Sequence, residues 1–96
     1  MRNILCLDLG GTRIGTAIGS DFTRLSKPLD TIVHKSRKVD IGKIQSLIST
    51  LKVTDVVIGI SYQEDGNPNS MGRHALVFGN LLEMETGVPV IFWDET

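Results

Sequence analysis

After Asn3, apolar residues run almost unbroken to Leu9, interrupted by Asp8 just before Gly10-Gly11, and apolar and β-type residues resume over 13–19. Two short runs parted by paired glycines predict a hairpin, with Asp8 near the end of its first strand. Turn chemistry over 21–28 precedes residues 29–33, which predict a third strand and complete a meander. From about Val39 the period changes. Ile41, Ile44, Leu47, Ile48 and Leu51 recur at helical spacing, with Asp40 near the favourable N-terminal end and Gly42 as the one weak point. Val56-Val57-Ile58-Gly59-Ile60 is a continuous run of the kind a strand covered on both faces carries. Asp65-Gly66-Asn67-Pro68 marks 61–69 as a loop, and Ser70 is placed to cap a helix beginning near Met71. Ala75, Phe78, Leu81 and Leu82 form that helix's apolar face, and Gly87 with Pro89 stops it. Val90-Ile91-Phe92-Trp93 then predicts a final buried strand leading into Asp94-Glu95.

The predicted order is β-β-β-α-β-α-β. Three meandering strands followed by two right-handed crossovers give an α/β fold, a mixed five-stranded sheet with flanking helices, which is the plan of the RNase-H-like architecture. At 96 residues the chain is one domain over 1–96, long enough to bury a single core. Its 41% hydrophobic and 22% charged residues are ordinary for a globular protein, which argues against disorder. The lone Cys6 sits in an apolar run with no second cysteine to pair with, and reads as a small core residue. Asp8 breaks the N-terminal apolar stretch too early for a signal peptide or membrane span, so a cytoplasmic protein without membrane contact is expected.

A net charge of -1 decides nothing about nucleic acid, but its distribution is uneven. Lys35, Arg37 and Lys38 stand in a basic middle segment, whereas acidic residues dominate the last third. That middle is either a solvated surface or a face that contacts phosphate. In a sheet of this order the ends of the first and last strands point to one edge, so Asp8, Asp94 and Glu95 could face one pocket. Carboxylates gathered there repel, and a hard divalent cation such as Mg2+ relieves the repulsion, orients a phosphate and activates a water. Asp8 could instead be a turn aspartate bonding its own backbone, and Asp94-Glu95 a solvated terminus. Gly10 and Gly11 would bring backbone amides near a ligand while Thr12 and Arg13 donate to phosphate oxygens; the alternative is an ordinary hairpin turn with glycine for positive φ.

Taken together, Asp8-Leu9-Gly10-Gly11-Thr12-Arg13-Ile14-Gly15-Thr16-Ala17, Pro28-Leu29-Asp30-Thr31-Ile32, Val57-Ile58-Gly59-Ile60, Asp65-Gly66 and Trp93-Asp94-Glu95 resemble the YqgF family across the whole chain. That family comprises Holliday junction resolvases and nucleases maturing precursor 16S ribosomal RNA. The resemblance implies an RNase-H-like fold and a Mg2+ or Mn2+ cofactor. It also implies a catalytic and metal-binding aspartate matching Asp8, and an acidic partner in Asp94-Glu95, with Glu95 as the second metal ligand and Asp94 as the alternative. The partner would be nucleic acid, either precursor ribosomal RNA or branched DNA.

Three departures from the family pattern stand out. Gly59-Ile60-Ser61 replaces the usual Gly-Leu-Pro, Thr96 stands where an arginine usually follows the acidic pair, and the family's last helix, which carries another catalytic aspartate, is absent before the chain stops at Thr96. The chain therefore looks like a fragment or a truncated gene product, with exposed apolar surface, self-association as a homodimer, or a poorly ordered C-terminus to be expected. Two other readings compete. The run 8–13 also resembles the first phosphate loop of sugar-kinase-like ATPases, although those close two domains on their ligands. A catalytically silent nucleic-acid-binding module is the third reading, and it would bind equally well with Mg2+ or with chelator.

Overall fold

A computed structural model of the protein describes residues 2–20, 26–60 and 70–94. Strand β1 (Ile4–Leu9) turns at Gly10-Gly11 into β2 (Arg13–Gly19), pairing antiparallel from Ile4↔Gly19 to Leu9↔Ile14. The meander's third member is split in two: β3 (Ser26–Pro28) and β4 (Ile32–Val33) both pair antiparallel with β2. Thr16 is the cause. Its buried hydroxyl donates to the Asp30 carbonyl (2.9 Å) and its own carbonyl accepts from Leu29 N–H (2.9 Å), which draws residues 29–31 out of the ladder.

Helix α1 (Arg37–Leu51) starts two residues before Val39, because the Ser36 hydroxyl accepts from Val39 N–H (3.2 Å) and caps it there. Lys52 ends it in a left-handed conformation (φ 53), its N–H returning to Ile48 O. Strand β5 (Asp55–Ile60) pairs parallel with β1, from Ile4↔Asp55 to Leu7↔Ile58. Helix α2 (Ser70–Thr86) ends where Gly87 takes positive φ (74°), and β6 (Val90–Asp94) pairs parallel with β5 from Val56↔Val90 to Ile60↔Asp94. The strand order is β3-β2-β1-β5-β6, with β4 also on β2, so the expected mixed sheet flanked by helices is the observed one.

Strand alternation divides the sheet into two unlike faces. Leu5, Leu7, Ile14, Val56 and Ile58 look toward α1 and α2 and are buried with Ile44, Ala75, Phe78 and Leu82 in one core. Helix α2 lies so close that a Cβ added at Gly79 would sit 2.6 Å from the Phe92 ring and 3.1 Å from Ile58 Cδ1. Neither helix covers the other face, which carries Cys6, Asp8, Gly15, Ala17, Val57, Gly59, Ile91 and Trp93. This corrects three expectations. β5 is buried on one face only and half-buried on the other, and β6 is an edge strand whose Ile91 and Trp93 are 39% and 59% exposed. Cys6 is half-buried on the second face rather than part of the core, and burial pushes its thiol above the ordinary value. Among the described residues, no helix is long and apolar enough to cross a membrane.

Candidate functional site

Because β1, β5 and β6 are parallel, their C-terminal ends meet at one edge of the sheet. Asp8 stands there on the face the helices leave uncovered. It pairs with Gly15 of β2 on one side, and on the other the next residue level along β5 is Gly59, which in turn pairs with Trp93. Asp8 thus rises from a strip of sheet with glycine to either side. A Cβ at Gly15 would meet Asp8 Cβ at an ordinary 3.6 Å, so packing alone does not require glycine at that position. The carboxylate is exposed and, among the described residues, has no hydrogen-bond or ion-pair partner, which rules out the turn-aspartate alternative.

Asp94 closes β6 opposite Ile60, at the same edge; β1 and β6 flank β5, which separates them by roughly 10 Å of sheet. Glu95 and the Asp65-Gly66 turn lie outside the described residues. No group of three or more His, Cys, Asp or Glu able to hold a metal occurs among the described residues. The donor chemistry of Asp8 nevertheless fits a hard divalent cation: an exposed carboxylate without a partner among the described residues, with glycine backbone beside it.

The glycine turn is built without left-handed backbone, contrary to the simple hairpin alternative, since Gly87 is the positive-φ glycine among the described residues. Gly10 N–H donates to Arg13 O (2.8 Å), and a side chain at Gly10 would strike that same oxygen at 2.9 Å. Thr12 and Arg13 are exposed at the turn, Arg13 on the Asp8 face by alternation along β2. The Thr12 carbonyl accepts from His34 N–H (2.9 Å), tying the turn to the segment that leads into α1.

Lys35, Arg37 and Lys38 are all exposed but serve different places. Arg37 lines an open cavity of about 400 Å3 with Leu9, Gly10, Gly11, His34 and His74, and with Lys38 it also borders a groove between α1 and α2. Lys35 contributes its backbone N–H to Asp40 Oδ1 (3.1 Å). Asp40, read from the sequence only as a favourable helix-start charge, is 1% exposed, and its other oxygen bonds His34 Nδ1. Sequence reasoning missed His34, Asp40, His74 and Phe78 as cavity-forming residues. A histidine six positions before an aspartate carries no signal until Ser36 starts the helix between them.

Comparison with known proteins agrees with this fold. The family described as RuvX, Holliday junction resolvase, matches residues 2–96. A relative from Anaeromyxobacter sp. (strain Fw109-5), provisionally named a pre-16S rRNA nuclease, is 36% identical over 95% of this chain and 66% of its own. Another of that name, from Syntrophus aciditrophicus (strain SB), is 39% identical over 97% of this chain and 62% of its own. The chain thus spans 62% to 66% of the length of these curated relatives. Among solved structures, Thermus thermophilus RuvC superposes with a TM-score of 0.62 at 16% identity, covering 96% of this chain and 63% of that one. A ROK hexokinase from the same organism reaches 0.55 at 18% identity over 97% of this chain and 34% of that one, a likeness of fold alone.

Proposed function

The chain belongs to the RuvX (YqgF) family of Holliday junction resolvases, and from that premise we propose that it carries part of a metal-dependent nuclease acting on structured nucleic acid. The observation that supports this most is the setting of Asp8: exposed, without a partner among the described residues, and flanked by Gly15 and Gly59 at the edge where the parallel strands end. Asp8 with Glu95, or with Asp94, would hold Mg2+ or Mn2+. When bound, such a cation supplies charge neutralisation, phosphate orientation and an activated water.

The chain's own residues do the rest. Glycine on both sides of Asp8 leaves the sheet flat, so a phosphodiester can approach the carboxylate without meeting a side chain. Arg13, on the same face, and Thr12 are placed to donate to phosphate oxygens, and Lys35, Arg37 and Lys38 add attraction for the backbone beyond the edge. The substrate is precursor 16S ribosomal RNA or a four-way DNA junction, the protein cytoplasmic, and a homodimer would suit the two-fold symmetry of a junction.

Asp8→Asn tests the reading, because it keeps shape and removes charge. Cleavage of a junction and of a precursor ribosomal RNA should fall by at least about 100-fold, with circular dichroism unchanged. Undiminished cleavage by a normally folded variant would remove Asp8 from the mechanism.

A further inference from the structure

The open cavity lies across the sheet edge from Asp8, on the side of α1 and α2, with the Gly10-Gly11 turn as the ridge between them. Its floor is apolar, made by Leu9, Ile14 and Phe78. Its polar lining is made by Arg37 in the first turn of α1, His34, and His74 one helical turn before Phe78, with the Asp40 carboxylate behind His34. An apolar floor with convergent polar groups and a volume near 400 Å3 suits one small, flat, partly charged ligand.

Two details narrow its chemistry. His34 Nδ1–H donates a hydrogen bond to Asp40, which also accepts from Lys35 N–H and is acceptor-only while ionised. The ring is thereby held in one tautomer, with Nε2 the nitrogen that has no protein partner among the described residues. Gly11 supplies the second detail. A Cβ there would meet nothing within 4 Å and the backbone φ is not positive, so nothing among the described residues demands glycine. Gly11 lines the cavity, so a side chain there would occupy space that a ligand could enter.

We propose that this cavity receives a single unpaired nucleotide of the substrate, its base against Phe78 and His34 and its phosphate toward Arg37 and His74. An aromatic floor takes the face of any base, a fixed imidazole nitrogen meets a base edge, and a guanidinium with the start of a 15-residue helix favours the phosphate. A strand crossing the bare Gly10-Gly11 ridge lays one phosphodiester beside Asp8 while turning the neighbouring base over the edge. The inference rests on the nuclease reading for its substrate but not for its measurement.

His34 and His74 are the protein's two histidines, so the imidazole protons of the whole chain report on the cavity in a proton NMR spectrum. Titration with uridine or adenosine 5′-monophosphate should shift both imidazole signals, and inorganic phosphate should bind at least about tenfold more weakly because it lacks a base. Arg37→Ala with His74→Ala, both surface changes, should weaken nucleotide binding about tenfold or more. Gly11→Leu should melt at an unchanged temperature and yet lose the binding. Asp8→Asn should bind the nucleotide within twofold of the unaltered chain.

An RNA with one bulged base should bind the Arg37/His74 variant less tightly than the unaltered protein, whereas a fully paired duplex should not discriminate them. Nucleotide binding together with cleavage that Asp8→Asn leaves undiminished would keep the cavity and sink the nuclease reading. Cleavage with unmoved histidine signals, with phosphate as tight as nucleotide, or with Gly11→Leu binding normally would overturn the cavity.

Discussion

Asp40 shows how much one buried carboxylate holds together. It fixes the His34 ring and accepts the Lys35 N–H at the entrance to α1, so Asp40→Ala leaves both donors stranded. A loss of about 1–3 kcal/mol is expected, read as a lower midpoint in urea, with the His34 imidazole signal broadened. The place of Asp8 near the end of the first strand was legible from sequence because the apolar run continues to Leu9 and then meets two glycines. Gly15 and Gly59 were not, since their place beside Asp8 depends on register across three strands. At the opposite edge, Arg2 and Thr54 both donate to Asp55 and hold its carboxyl below the ordinary value. A lowered value means stability that is present above the usual carboxylate range and lost as pH falls through the folded value. Asp55→Asn should therefore flatten the acid side of the stability profile, by roughly 0.2–1 kcal/mol since Arg2 is half exposed.

Elements were easiest to read where one period ran long. α1 and α2 were visible in their spacing of Ile, Leu and Phe, and β5 in its β-branched run. The third strand was expected over 29–33, whereas pairing falls at 26–28 and 32–33, on either side of the residues that the Thr16 hydroxyl and carbonyl hold. β6 was taken as fully buried because its apolar run is continuous, yet only Val90 and Phe92 pack against the core. At Gly79, α2 touches the sheet through a missing side chain, and Gly79→Ala should drive it off Phe92. Overpacking of this kind costs about 1–3 kcal/mol, measurable as a fall in Tm. Since α2 carries His74 and Phe78, the same change should also weaken nucleotide binding.

For the molecule as a whole, the imbalance between the two faces of the sheet matters most. One face holds the core and the other leaves Trp93, the single tryptophan, 59% exposed. Its fluorescence should peak near the wavelength of indole in water and be quenched readily by acrylamide; a blue-shifted, protected signal would mean that this face is covered in solution, by a second copy or otherwise. The order of the strands also has a consequence in time. β1 is synthesised first, but its parallel neighbour begins only at Asp55 and the outermost strand only at Val90. At ribosomal speed, on the order of ten seconds separates the emergence of Asp8 from that of Asp94. A nascent chain surrounded by ribosomal RNA thus carries its carboxylate on a lone hairpin, without the strands that complete the edge. On the proposed reading, a chain built in this order brings Asp94 to the edge where Asp8 stands only once β6 has emerged.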